Sequence, residues 1–189
     1  SRYAGINFGA KVAPIYEKGL SLKATSSLVG FGEKIIVDRP DRRTDHEVEL
    51  GVVIGKKGRR ISIENALSYV SGYSIALDMT IRGAEERSLR KSLDSFSVLG
   101  PWMVTADEFG DPSNRTLALW VNDDERQHAS TNELIFDVPK LIEYASEHYT
   151  LEPGDIIMTG TPEGVGSVKP GDIIRCSIDG IGSATIKVA

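Results

Sequence analysis

Apolar residues in this chain come in short runs, and 19 glycines punctuate them. A helix bundle needs long amphipathic stretches. Short apolar runs between turn signals favour a strand-rich domain instead. The pattern predicts strands at about Lys34–Val37, Val48–Ile54, Tyr73–Thr80, Trp102–Thr105, Leu117–Asn122, Asp155–Thr159, Ile173–Ile178 and Ala184–Val188. It predicts helices over Ser62–Val70 and Val138–His148, the second capped by Asp137 with Pro139 in its first turn. A third, charged helix is expected over Gly83–Ser92. Strands and helices do not alternate as βαβ units would, which excludes a Rossmann-like sheet. The fold class expected is α+β, mainly β, with a few inserted helices.

Length and composition narrow the function. At 189 residues, 1–189 reads as a single domain large enough to bury its own core. Asp plus Glu exceed Lys plus Arg by 27 to 22, which argues against nucleic acid or an anionic membrane surface as the main partner. There is one cysteine, Cys176, so an intramolecular disulfide and a cysteine-based zinc site are both excluded. No apolar run approaches the roughly 20 residues of a membrane span. A cytoplasmic location is the default expectation.

The segment Asp45-His46-Glu47-Val48-Glu49-Leu50 alternates like a strand. Glu47 and Glu49 then share one face, about 6.5–7 Å apart along the chain, while Val48 and Leu50 face a core. Such a pair has two readings: a solvated face that tolerates the repulsion, or the ligands of a divalent cation. Asp78 interrupts the apolar run Tyr73-Ser74-Ile75-Ala76-Leu77, where a carboxylate is rarely buried without a partner. Three carboxylates without thiolate or imidazole would suit a hard ion such as Mg²⁺ or Mn²⁺, with Ca²⁺ also compatible. On pattern alone, Arg82 and Lys91 read more readily as surface cations. The small-residue loop Thr159-Gly160-Thr161-Pro162, with Gly164 and Gly166, could let backbone amides and hydroxyls reach an anion.

Taken together, these motifs resemble the catalytic domain of the fumarylacetoacetate hydrolase family. The matching stretches include Gly5-Ile6-Asn7-Phe8, Glu47-Val48-Glu49-Leu50, Asp78-Met79-Thr80-Ile81-Arg82, Lys91-Ser92-Leu93-Asp94, Gly100-Pro101-Trp102 and Thr159-Gly160-Thr161-Pro162-Glu163-Gly164. They occur in the family's order along nearly the whole chain. The resemblance implies a mixed β-roll, sandwich-like, and a homodimer. It implies a divalent cation on Glu47, Glu49 and Asp78, and a small 2-oxo acid or 1,3-dicarbonyl acid as substrate. The chemistry implied is C–C bond hydrolysis through an enolate held beside the cation. Isomerisation or decarboxylation of related acids is the alternative within the family, and a scaffold that has lost its chemistry is the alternative outside it.

The resemblance also distributes roles. Lys91 matches a lysine near the developing negative charge, and Arg82 an arginine of the site region. Thr161, the Gly160 amide and Asn7 match substrate-binding positions, and Lys23 a lysine at the pocket mouth. Hydrolytic members usually follow the Asn-Phe segment with a short helix bearing His-x-x-Glu. Here Gly9-Ala10-Lys11-Val12 follows Phe8 directly. The reading therefore expects a lid segment, not carried by this sequence, between Phe8 and Gly9. His46 is expected to be structural.

Overall fold

The structure is a computed structural model that describes residues 19–189. Asn7 and the Phe8–Gly9 junction lie outside the described residues. In chain order the strands are β1 (Leu28–Gly30), β2 (Lys34–Ile35), β3 (Thr44–His46), β4 (Val48–Ile54), β5 (Val70–Asp78), β6 (Thr80–Ile81) and β7 (Ser97–Thr105). They continue with β8 (Thr116–Val121), β9 (Asp124–Ser130), β10 (Ile156–Met158), β11 (Gly166–Val168), β12 (Ile173–Ile178) and β13 (Gly182–Val188). The α-helices are α1 (Arg87–Lys91), α2 (Ala106–Phe109) and α3 (Val138–His148).

The strands form three sheets, ordered β1-β7-β5-β4-β10, β11-β3-β6 and β2-β13-β12-β8-β9. Pairing is mixed: β1 with β7 and β2 with β13 run parallel, and the other pairs run antiparallel. The mainly β architecture with few helices agrees with the sequence expectation. On β12 the period-2 rule is plain: Ile174, Cys176 and Ile178 are buried, while Ile173 and Arg175 face out. These residues join Val48, Leu50, Val52, Ile75, Leu77, Leu117 and Leu119 in one hydrophobic core. Each fully buried aliphatic chain contributes about 1.5–3 kcal/mol, so the core, not any single polar contact, holds the sheets together.

One topological detail positions everything that follows. The chain leaves the small sheet at Glu47, between β3 and β4, and re-enters it at Met79, between β5 and β6. Val48 pairs with Leu77 in the first sheet, and Asp45 pairs with Thr80 in the small one. The two crossings are tied by the Asp78 N–H, which donates to the Glu47 carbonyl at 2.8 Å. Glu47, Glu49 and Asp78 thus meet at a corner between sheets.

α3 forms as expected: the Asp137 side chain caps it by accepting from the Lys140 N–H at 2.9 Å. The helix expected over Ser62–Val70 is not there. A 3₁₀ turn spans Ala66–Tyr69, and Val70 already opens β5, paired with Ile54. A segment this short makes a marginal helix on its own, so strand pairing decides its fate. The charged helix expected over Gly83–Ser92 shrinks to Arg87–Lys91, capped by Glu86. Strand β9 was not expected, because only Gln127 and Ala129 in its Asp-Glu-Arg-Gln-His-Ala-Ser run turn inward. No helix among the described residues is long and apolar enough to cross a membrane.

Candidate functional site

Glu47, Glu49 and Asp78 each offer a carboxylate oxygen, and these atoms lie within 4.8 Å of one another. All three residues are buried, with Glu49 only 3% exposed. The solvated-face reading of the glutamate pair therefore fails. β4 is buried on both sides, with Val48, Leu50 and Val52 toward the core and Glu49 toward the corner.

Basic side chains compensate two of the three acids. The Lys91 Nζ bridges Glu47 Oε2 and Asp78 Oδ2, each at 2.5 Å. Lys23 pairs with the other Asp78 oxygen and donates to the Phe96 carbonyl at 3.0 Å. Arg82 donates through Nη2 to Glu47 Oε1 at 2.9 Å and through Nε to Asp45 Oδ2 at 2.7 Å. Glu49 has no cation in contact among the described residues; the Gly160 N–H donates to its Oε2.

The titration behaviour follows from these contacts. Burial raises the Glu49 pKa well above the usual carboxylate value, and the charges of Asp78 and Glu47 raise it further. Burial also acts to raise Asp78, but the ammoniums of Lys91 and Lys23 outweigh it and hold this carboxyl below its ordinary value. Burial acts to lower Lys91, and Asp78, Glu47 and Glu49 together outweigh that and raise it, so the ammonium stays charged. Among the described residues the cluster lacks a contacting cation at one place, Glu49. An all-oxygen donor set with one uncompensated carboxylate fits a hard divalent cation.

The acids line a cavity of about 790 Å³. Its wall also carries Lys23, Arg82, Arg87, Arg90 and Lys91. Lys91 is 9% exposed, so it is not the surface cation its sequence neighbourhood suggested. Arg90 lines the same cavity, with its Nε donating to the Glu85 carbonyl at 2.8 Å. Lys23 was expected at the mouth and instead reaches the carboxylates themselves. Thr161 lines the cavity, with its hydroxyl donating to the Val48 carbonyl at 2.9 Å. The Gly160 amide lines the cavity and donates to Glu49 Oε2, a carboxylate of the protein. Asn7 lies outside the described residues.

Two buried residues escaped the sequence reading. Asp45 is fully buried and accepts from both Arg43 and Arg82, which fixes the guanidinium that holds Glu47. Gln127 is 1% exposed and contacts the strand between the two glutamates. Asp45 falls two residues before the Glu-x-Glu motif, in step with its face, but its partner Arg82 is 37 residues away, and Gln127 sits in a strand that reads as surface.

His46 is structural, as expected. It is fully buried with Nδ1 3.1 Å from Gln127 Oε1. Burial lowers its pKa from the ordinary 6.5 to about 4. Between those values the unfolded chain binds a proton that the folded chain does not, so stability is full above pH 6.5 and falls toward pH 4. Urea unfolding at about pH 7 and about pH 4.5 should show wild type losing roughly 2–3 kcal/mol more than His46→Gln. Equal losses in the two proteins would contradict this assignment.

Residues 8–189 match the family model of the fumarylacetoacetate (FAA) hydrolase C-terminal domain. Maleylpyruvate hydrolase of Aquipseudomonas alcaligenes is 53% identical over 174 residues, covering 92% of this chain and 61% of the relative. Mitochondrial oxaloacetate decarboxylase of Dictyostelium discoideum is 46% identical over 172 residues, covering 85% of this chain and 77% of that protein. Maleylpyruvate hydrolase from Sphingobium sp. SYK-6, solved in complex with manganese(II) and pyruvate, superposes with a TM-score of 0.85 at 45% identity. That match covers 88% of this chain and 62% of the other. The chain thus spans about three fifths of the length of both maleylpyruvate hydrolases.

Proposed function

The chain belongs to the fumarylacetoacetate hydrolase family, and from that premise we propose a divalent-metal-dependent enzyme that hydrolyses a C–C bond in acylpyruvate-type 2-oxo acids. The observation that carries the reading is the buried meeting of Glu47, Glu49 and Asp78 in a cavity with a basic wall. Glu47, Glu49 and Asp78 would hold Mg²⁺ or Mn²⁺. The ion would supply Lewis acidity toward the adjacent carboxylate and oxo oxygens of a 2-oxo acid. The manganese and pyruvate in the Sphingobium relative support this choice of metal and substrate.

The chain's own residues supply the rest. Water adds to the acyl carbon, and the bond from that carbon to the methylene breaks. The electron pair passes to the pyruvyl fragment as an enolate, which is then protonated at carbon; the products are a carboxylic acid and pyruvate. Lys91, charged and buried, stands where it can offset the negative charge on that fragment. Arg82 keeps Glu47 oriented, and Asp45 keeps Arg82 in place. The Thr161 hydroxyl would donate to the substrate carboxylate by turning from the Val48 carbonyl.

Arg90 narrows the substrate. A second cation on the cavity wall, set apart from the carboxylate cluster, suits an acid with a further carboxylate beyond the acyl group, as in maleylpyruvate. With Mn²⁺ present, maleylpyruvate should be cleaved to pyruvate at least tenfold more efficiently than acetylpyruvate, which lacks that group. Arg90→Met should raise KM for maleylpyruvate roughly tenfold, as expected for a partly exposed charge-assisted contact, and leave acetylpyruvate unchanged. Equal effects on both substrates would remove Arg90 from the substrate site. No pyruvate from any acylpyruvate would remove the hydrolase reading. Decarboxylation on the same site is the second reading, favoured by the Dictyostelium relative; oxaloacetate turnover would then exceed acylpyruvate turnover.

Residues 1–189 are read as one catalytic domain, which the match over 8–189 supports. A cytoplasmic homodimer is the assembly we favour. The exposed apolar pair Trp102 and Met103 on β7 offers a surface for self-association.

A further inference from the structure

Gln127 reaches the site from a different sheet. It lies on β9, at the edge of the sheet β2-β13-β12-β8-β9, while Glu49 lies on β4 in the first sheet. Its side-chain amide is buried and makes four hydrogen bonds. Oε1 accepts from the Val48 N–H at 3.1 Å and lies 3.1 Å from His46 Nδ1. Nε2 donates to Thr161 Oγ1 at 2.7 Å and to the Pro162 carbonyl at 2.9 Å. A primary amide has two donors and two acceptor lone pairs, so its capacity is full.

Chemistry fixes which way this amide points. A backbone N–H can only donate, so Val48 must face the oxygen. A backbone carbonyl can only accept, so Pro162 must face the nitrogen. The flipped amide would put like against like at both contacts in a buried place, which costs more than the bonds are worth. The His46 Nδ1 must then be the protonated ring nitrogen.

The partners are the two segments that build the site. Val48 stands between Glu47 and Glu49, and its carbonyl takes the Thr161 hydroxyl. Thr161 follows Gly160, whose amide donates to Glu49. A second clamp lies two residues beyond Gln127's last contact along the chain, at Gly164. There φ is +91°, and a Cβ would fall 1.7 Å from the Arg126 carbonyl oxygen. Only glycine lets residues 160–164 lie this close on the β9 backbone. The loop is therefore seated on β9 by contact at Gly164 and by hydrogen bonds at Thr161 and Pro162.

We propose that Gln127 is a positioning residue that sets the carboxylate-bearing strand and the Thr161 loop in one geometry from across the sheets. It also governs what Thr161 can offer a ligand. Because Gln127 Nε2 donates to Thr161 Oγ1, the hydroxyl is left with its proton to give, and that proton now rests on the Val48 carbonyl. Thr161 is thereby kept as a donor, the polarity an anionic substrate requires. The inference rests on the metal-site reading given above.

The test uses the whole chain and Mn²⁺ itself as probe. Mn²⁺ affinity is measured by isothermal titration for wild type, Glu49→Gln, Gln127→Leu, Gln127→Glu and Thr131→Val, with kcat and KM on maleylpyruvate alongside. Thr131 is a buried hydroxyl with its own two hydrogen bonds, to the Arg115 N–H and the Pro112 carbonyl, away from the cavity. It controls for lost stability alone. Gln127→Leu is expected to weaken Mn²⁺ binding roughly 10–100-fold, the range for partners that orient metal ligands, while Thr131→Val leaves it unchanged. Gln127→Glu keeps both acceptor contacts and loses both donors. It should hold Mn²⁺ within about threefold of wild type and raise KM roughly tenfold, because Thr161 is no longer kept as a donor. That split also decides the matter if Gln127→Leu does not fold.

Mn²⁺ binding and KM within threefold of wild type in the folded Gln127 variants would overturn the proposal. So would a loss in Thr131→Val equal to that in Gln127→Leu. Wild type that binds no Mn²⁺, or Glu49→Gln that binds it as well as wild type, would instead overturn the metal-site reading and this inference with it.

Discussion

Changing Glu49 to Gln is expected to abolish tight Mn²⁺ binding and to lower kcat/KM by roughly 10³-fold or more, while the metal-free protein becomes more stable. The loss follows from Glu49 being the carboxylate of the three with no basic side chain in contact among the described residues. The gain follows from linkage. Its folded pKa is raised by burial, then by Asp78 and Glu47, so above the unfolded pKa of 4.5 the folded state holds on to a proton that the unfolded state has released, and ionising Glu49 in the fold costs stability. Stability from such a group is full below the unfolded pKa of 4.5 and is lost as pH rises. Gln mimics the protonated acid in shape, has no proton to lose and removes that cost. Denaturant unfolding near neutral pH with and without Mn²⁺ reads both effects. Wild type should gain about 2.7 kcal/mol at 100 times its dissociation constant, and the variant nothing. A variant still stabilised by Mn²⁺ would rule Glu49 out as a ligand.

The same reasoning separates the two glutamates, which the sequence presents as equals. Read from the chain alone, Glu47 and Glu49 form a mutually repelling pair, and removing either charge should relieve strain. In the structure Glu47 carries Arg82 on one oxygen and Lys91 on the other. Removing its charge leaves a buried ammonium with one partner fewer. Relief belongs to Glu49 only.

What the sequence disclosed and what it hid divide along physical lines. The Glu-x-Glu strand was legible because period-2 alternation is local, and Asp78 because a carboxylate stands out in an apolar run. Helix α3 was legible from its cap, its proline and its 3.6-residue spacing. From residue pattern Lys91 and Arg90 were not, because Arg87-Ser88-Leu89-Arg90-Lys91 carries no apolar stripe to reveal which side the cavity takes; Lys91 entered only through the family resemblance. Only the placement of α1 beside the corner decides their burial. Gln127 was hidden for a related reason: its contacts are 34 to 81 residues away, with Thr161 and His46 at the two extremes. Nothing within reach of β9 along the chain signals them.

Lys91→Met is expected to lower kcat by roughly 10²–10³-fold, the scale of losing one preorganised electrostatic stabiliser. The geometry adds a second effect of opposite sign. The Lys91 ammonium bridges Glu47 and Asp78, so in the metal-free protein it is the charge nearest the place a cation would occupy. Without it, two buried carboxylates lose a shared partner, and the metal-free fold should weaken by about 3–5 kcal/mol. Mn²⁺ should restore much of that, and its affinity should hold or rise, because the carboxylates then face one positive charge fewer. Weaker turnover with undiminished metal binding is a combination that a lysine of the protein surface cannot produce. Calorimetric titration with Mn²⁺ and steady-state kinetics on one preparation read both sides. If kcat stays within about threefold of wild type, under ~0.7 kcal/mol of barrier, Lys91 has no part in the chemistry. If kcat falls only because Mn²⁺ no longer binds, Lys91 serves the carboxylates and does not stabilise the developing charge.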